Sequence, residues 1–248
     1  MKLENKVAVI TGAASGMGKA EAELFAKEGA IVAACDVNEE GLKQTVEQIQ
    51  SEGYQAEAYL LDISNKQNVD EVITKILDTH GHIDILCNTA GIFDYGKKSL
   101  EADEALWDKI IDIDLKGAFL MCNAVLPSMI AQKKGNIINV ASVAGLTAGA
   151  GGSCYTAAKH GLVGYTKALA HDYGADGIRA NAICPGAVLT GLTAVIPSEV
   201  LEASAATIPA RRSGLPEDVA KLALFLATDE SDYIYGAAIP LDGGQLIK

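Results

Sequence analysis

Short runs of β-branched and aliphatic residues recur along this chain, separated by longer stretches in which apolar positions return every three or four residues. The runs Val7–Ile10, Ile31–Cys35, Gln55–Leu60, Ile83–Cys87, Asn136–Val140, Arg179–Ile183 and Ala237–Pro240 read as strands, and the stretches between them as helices. Parallel strands joined through helices cross over right-handed. The alternation therefore predicts a doubly wound, seven-stranded parallel sheet with helices on both faces. No linker-like composition, repeat or charge block interrupts the series, so residues 1–248 read as a single α/β domain. The least regular part, 186–215, holds Pro197 and Pro209 and a short helical stretch near Ser198–Ala205. A long insertion at the carboxyl end of a strand lies where an open sheet places its ligand, so it reads either as a substrate-binding loop or as a variable connection.

The first strand runs into Thr11-Gly12-Ala13-Ala14-Ser15-Gly16-Met17-Gly18 and then a helix opening Lys19-Ala20-Glu21. Glycines permit a tight turn and close backbone approach, while a helix N-terminus offers unpaired N–H groups and partial positive charge. Strand, Gly-rich turn and helix in this order suit a pyrophosphate. The spacing GxxxGxG departs from the GxGxxG dinucleotide fingerprint, and a turn with only a packing role is the competing reading. Asp36 closes the second strand 36 − 18 = 18 residues past Gly18, near the spacing of an acid that accepts hydrogen bonds from an adenosine ribose. A carboxylate there repels a 2′-phosphate, and Val37-Asn38-Glu39-Glu40 supplies no cation to pair with one, so NAD(H) is favoured over NADP(H).

Tyr155 and Lys159 lie four apart in a segment of helical periodicity, so both project from one face. A free tyrosine titrates near pH 10, and a neighbouring ammonium favours the phenolate, bringing it toward the range useful for proton transfer. Ser142 follows the fifth strand at its carboxyl end, placed to hydrogen-bond a carbonyl oxygen. Taken singly, these are also a surface aromatic–cation pair and a turn serine. His80, His82, His160 and His171 show no ligand spacing, so no metal is expected.

Composition narrows the partners. With 49% hydrophobic residues the chain can bury a sizeable core, and 20 basic against 32 acidic residues give net charge −12. That charge opposes phosphate backbones and anionic membranes, so neither nucleic acid nor membrane is an expected partner. Five dispersed cysteines without a CxxC pair fit buried thiols in a reducing compartment. No signal-like N-terminus is seen and no apolar run reads as long enough to span a bilayer, so a cytoplasmic location is expected.

Across nearly its whole length the chain resembles the short-chain dehydrogenase/reductase family. Thr11 to Gly18 resembles that family's TGxxxGxG turn, Asp62-Ile63 its adenine-contacting pair, and Asn88-Thr89-Ala90-Gly91 its NNAG segment. Ser142, Tyr155 and Lys159 resemble its Ser…YxxxK set, and Pro185-Gly186-Ala187-Val188-Leu189-Thr190 its PG motif beside the nicotinamide. The resemblance implies a Rossmann-like fold and an oxidoreductase in which Tyr155 transfers the proton. It further implies that Ser142 orients the carbonyl and that Lys159 binds the nicotinamide ribose while lowering the Tyr155 pKa. Gly12, Ser15, Gly16, Met17, Gly18, Asp36, Asp62, Ile63, Asn88, Ala90, Gly91, Pro185, Gly186, Val188 and Thr190 would line the cofactor with Tyr155 and Lys159.

Two departures stand out. Thr89 replaces the second Asn of NNAG, and Asp114 stands where the family usually carries the Asn of its catalytic tetrad, which kinks a helix and holds a relay water. A carboxylate there is expected to hold the same water, stabilise the Lys159 ammonium and shift the pH optimum. The substrate pocket is expected to take Ser142, Ala144, Leu146, Ser153, Tyr155 and Ala187. The apolar content of 187–212 favours an apolar substrate body, with Arg211 and Arg212 as anion anchors if that loop folds inward. The expected substrate is a small, diol or alicyclic secondary alcohol or its ketone.

The rivals are a 3-oxoacyl-carrier-protein reductase and a non-catalytic dinucleotide sensor. Asp36, net charge −12, and Asp176 where such reductases are expected to carry an arginine all weigh against the first. Intact Ser142, Tyr155 and Lys159 weigh against the second. Helices over about 104–131 and 155–173 carry more apolar and small residues than one buried face needs, and the family resemblance makes a homotetramer the expectation.

Overall fold

The computed structural model describes residues 1–194 and 196–247; Val195, inside the irregular segment, and Lys248 lie outside the described residues. Among the described residues seven strands form: β1 (Val7–Thr11), β2 (Ile31–Asp36), β3 (Ala56–Leu60), β4 (Ile85–Asn88), β5 (Gly135–Val140), β6 (Ile178–Pro185) and β7 (Ala238–Leu241). Each begins and ends within two residues of the sequence expectation. Two-residue offsets fall at the start of β4 and the end of β6; before β4 the Asp84 carboxylate takes the Val7 N–H at 2.9 Å and the Lys6 ammonium at 2.8 Å.

All neighbours pair parallel in the order β3-β2-β1-β4-β5-β6-β7. The helices are α1 (Gly16–Lys27), α2 (Glu39–Ser51), α3 (Lys66–His80), α4 (Glu104–Ile111), α5 (Ala118–Gln132), α6 (Ser153–Tyr173), α7 (Ser198–Ala205) and α8 (Pro216–Ala227). Alternate strand residues feed two cores. Ala8 and Ile10 join Phe25, Leu42, Ile49 and Val219 on one face, and Val7 and Val9 join Ile73, Ile76, Met121 and Leu169 on the other. Burial on both faces explains why these strands read as continuous apolar runs rather than alternating ones. The architecture is Rossmann-like, and the winding reverses between β1 and β4, which opens a crevice at the carboxyl ends of the strands.

Two polar devices hold elements in place beneath that crevice. Buried Arg179 on β6 donates to the carbonyls of Ser231, Leu226 and Thr228 at 2.8–3.0 Å, satisfying the C-terminal end of α8. Buried Asn88 donates to Asn139 at 2.9 Å, and Asn139 donates to Thr166 at 2.9 Å, which ties β4 and β5 to α6.

One expectation is corrected. A π turn, Asp112–Gly117, fuses α4 and α5 into a continuous helix, Glu104–Gln132, long and apolar enough by length and composition to cross a membrane. The sequence predicts a helix over about 104–131, but not as an apolar run of that length, because Asp112, Asp114 and Lys116 interrupt it. Half of its most apolar window is buried within the protein.

Candidate active site

At the carboxyl end of β1 the chain turns sharply into α1. Gly12 has φ +72°, and a Cβ there would sit 3.0 Å from Ala90, so only glycine lets the turn pack on the segment after β4. At Gly18 a side chain would strike the Gly12 carbonyl. Ser15 precedes α1 without a side-chain capping bond, and no acid lies in the first helical turn, which leaves that terminus facing a groove of about 340 Å³. Gly12, Ser15, Gly16, Met17, Gly18, Asp36, Asp62, Ile63, Ala90, Gly91 and Thr190 all line it. Asp36 closes the far end, its oxygens accepting from Ala14 N at 3.0 Å and Asn38 N at 2.9 Å. A glycine cradle, an uncapped helix terminus and a strand-end acid fit a nicotinamide dinucleotide.

A second cavity, about 180 Å³, adjoins the first, and Met17, Thr190 and Leu192 line both. Ser142 and Tyr155 face it together, the Ser142 hydroxyl oxygen accepting from Ala144 N at 3.1 Å. Buried Lys159 sits one helical turn along α6 with its Nζ 5.4 Å from the Tyr155 ring centroid, donating to the Val140 carbonyl at 3.2 Å. Its ammonium lies 3.2 Å from Asp114 Oδ2, and Asp114 Oδ1 accepts from Ile92 N at 2.8 Å. A Cβ on Gly91 would stand 3.4 Å from that ammonium, so Lys159 lies directly behind the dinucleotide groove. The π turn aims Asp114 inward here, a wide turn of the kind found at functional sites.

The electrostatics differ from the sequence expectation in one respect. Burial pushes the Tyr155 phenol up from its ordinary value; Lys159 pulls it down as expected, but Asp114 and Asp94 push it further up, and the net direction is upward. Burial also raises the Asp114 carboxyl against the opposing pull of Lys159. For Lys159, burial favours the neutral amine, yet Asp114 and Tyr155 outweigh it and hold the ammonium.

Several residues depart from their expected places. Asn88 does not line the groove, because its amide is committed to Asn139 inside the core. Pro185, Gly186 and Val188 line the second cavity rather than the first, together with Ala187. Ala144 is fully buried, Leu146 packs against the Leu162–Val163 cluster, and Ser153 opens α6; none lines the cavity, whose wall is formed instead by Phe93, Val143 and Ala150. Arg211 and Arg212 do not fold inward: Arg211 donates to the Ala206 carbonyl, and Arg212 pairs with Asp218 at 2.6 Å.

Sequence reasoning missed Phe93 and Asp94. Phe93 stands edge-on to Tyr155, 5.1 Å between centroids at 83°. Asp94 is fully buried and accepts from Gly152 N at 2.8 Å and Tyr155 N at 3.0 Å, capping α6 from another loop. It also missed buried Glu21 on α1, which receives a 2.5 Å hydrogen bond from Thr89; there the signal was legible, since Glu21 falls four residues before buried Phe25 on the helix's apolar face.

A parallel sheet that cradles a dinucleotide at its switch point, with a Ser–Tyr–Lys set in the adjoining cavity, defines a nicotinamide-linked oxidoreductase architecture. The chain belongs to the short-chain dehydrogenase/reductase family: a family model described as enoyl-(acyl carrier protein) reductase matches residues 12–245. It is 41% identical to the 3-oxoacyl-[acyl-carrier-protein] reductase FabG of Thermotoga maritima, covering 100% of both chains. It is 38% identical to the 2,5-dichloro-2,5-cyclohexadiene-1,4-diol dehydrogenase LinX of Sphingobium indicum, covering 98% of this chain and 97% of the other. A solved structure described as a candidate NAD(P)-dependent gluconate 5-dehydrogenase from Beutenbergia cavernae, with bound NADP, superposes with TM-score 0.94 at 33% identity, covering 100% and 99% of the two chains.

Proposed function

We propose that this oxidoreductase interconverts a small, uncharged secondary alcohol and its ketone with NAD(H), using Ser142, Tyr155 and Lys159. The observation that carries this reading is the convergence of Ser142 and Tyr155 on a cavity continuous with the dinucleotide groove. In the oxidative direction Tyr155 accepts the hydroxyl proton, and in reduction it returns a proton to the carbonyl oxygen. Ser142 holds that oxygen, and Lys159, kept charged by Asp114, stabilises the phenolate. The bound nicotinamide supplies the hydride in reduction and takes it up in oxidation. Phe93 covers the Tyr155 ring and narrows the access of water.

Asp36 supports NAD over NADP, since a 2′-phosphate would meet a carboxylate with no cation in residues 37–40. The cyclic-diol dehydrogenase among its relatives supports a cyclic or diol substrate. A second reading, 3-oxoacyl-carrier-protein reductase, draws on the Thermotoga relative. Net charge −12, with Arg212 already paired to Asp218, opposes docking of an acidic carrier. Initial rates with NAD and NADP in parallel, across diols, cyclic alcohols, their ketones and a 3-oxoacyl thioester, separate the two. NAD-linked alcohol or ketone turnover is the expected result; NADPH-linked thioester reduction overturns this reading. Five free, buried cysteines support a cytoplasmic location as part of the same reading.

A further inference from the structure

Among the described residues six polar side chains line the 180 Å³ cavity: Ser142, Tyr155, Thr190, Thr193, Ser204 and Gln245. Ser142 and Tyr155 hold the reacting oxygen in the proposed chemistry. Thr193 donates to the Val188 and Thr190 carbonyls at 3.1 and 3.0 Å and accepts from Thr190 N at 3.0 Å. Thr190 lies at the junction with the dinucleotide groove, its Cγ2 against Gly16, and Ser204 is exposed at the rim. Gln245 is the one side-chain amide on the wall, half-buried and, like the Thr190 and Ser204 hydroxyls, without a side-chain hydrogen bond among the described residues.

Its position is fixed by the backbone. Asp242 accepts from Gly244 N at 2.9 Å and Leu246 N at 2.8 Å, and Gln245 N donates to the Asp242 carbonyl at 3.1 Å. Gly186 N donates to Leu241 O at 3.1 Å, binding this turn to the strand end below. A Cβ on Gly186 would sit 2.8 Å from Gln245 Oε1, so the missing side chain at Gly186 is what lets the amide approach the cavity wall.

We infer that Gln245 binds a second oxygen of the substrate, which is therefore an uncharged diol, hydroxyketone or dione of small size. This rests on the alcohol–ketone reading of the site. An amide both donates and accepts, so it pairs with a hydroxyl or a carbonyl. Among the described residues no charged side chain lines the cavity, so a carboxylate or phosphate would be buried without a counter-ion. The remaining wall, formed by Phe93, Val143, Ala150, Leu192 and Ile196, suits a hydrocarbon frame between the two oxygens.

The test is the ratio of kcat/KM for cyclohexane-1,2-, 1,3- and 1,4-diols to that for cyclohexanol, measured with NAD on the full-length protein and on Gln245→Leu. The protein prefers at least one diol, and in Gln245→Leu that preference falls roughly ten- to hundredfold, the size of one lost hydrogen bond to a buried partner. Gln245→Glu, which keeps an acceptor and loses the donor, retains preference for the diol while its turnover of the matching dione falls. A folded Gln245→Leu protein, checked by circular dichroism and thermal midpoint, with an unaltered ratio overturns the assignment alone. If Gln245→Leu does not fold, equal effects of Gln245→Glu on diol and dione overturn it. No turnover of any alcohol or ketone with either dinucleotide overturns this inference together with the function it rests on.

Discussion

Asp114 places a carboxylate 3.2 Å from the lysine that tunes Tyr155. With Asp94 nearby, the phenol faces two acids and one ammonium, and its upward displacement follows from burial reinforced by those acids. Proton abstraction in alcohol oxidation needs the phenolate, so the pH–rate profile rises as pH approaches the Tyr155 pKa from below. Asp114→Asn removes one upward push together with the main support of the Lys159 ammonium, so the rising limb of kcat/KM moves along the pH axis while activity stays within about an order of magnitude. The amide oxygen still accepts from Ile92 N, which preserves the turn. A pH–rate profile that does not move, or a folded variant without activity, contradicts this role. Ser142, Tyr155 and Lys159 were legible in the sequence because a strand end and an i, i+4 helical pair are local geometry. Phe93, Asp94 and Gln245 were not, because their positions depend on tertiary contacts; Asp94 and Gly152 meet across 58 residues.

At the scale of elements, α1 carries the dinucleotide terminus and a buried acid on the same helix. Burial pushes the Glu21 carboxyl up to about 8, against a lowering by the Thr89 hydroxyl that hydrogen-bonds it. The folded state therefore binds this proton more tightly than the unfolded chain, whose reference value is 4.5. The resulting stability is fully present below about pH 4.5 and is lost as pH rises through about 8. Glu21→Gln removes that dependence. The thermal midpoint of the variant is predicted to decline less steeply between pH 5 and pH 9 than that of the parent, and parallel curves contradict the assignment. In the sequence Thr89 stands out only as a departure from the family; the structure makes it the partner of Glu21 and part of the groove wall. Strand positions were legible to within two residues, since burial on both faces leaves an uninterrupted apolar signature. The π turn was not, because it depends on how Asp114 is received by Lys159 and Ile92.

For the whole molecule, the order of seven parallel strands brings a phosphate-binding terminus, a proton-transfer set and an irregular covering segment to one end of the sheet. Trp107 on α4 and Phe119 on α5 remain 44% and 46% exposed, apolar area that the proposed homotetramer would cover. Light scattering of the purified protein is predicted to give a mass near four chains, and a monomeric mass contradicts that assembly. Nicotinamide-linked oxidation and reduction through Tyr155 stands or falls on a comparison of Tyr155→Phe with the parent on the best secondary alcohol and NAD. A fall in kcat of at least about a thousandfold is expected in a variant that still folds and binds NADH, since the ring and its packing on Phe93 remain while the proton carrier is gone. Turnover equal to the parent's would contradict it.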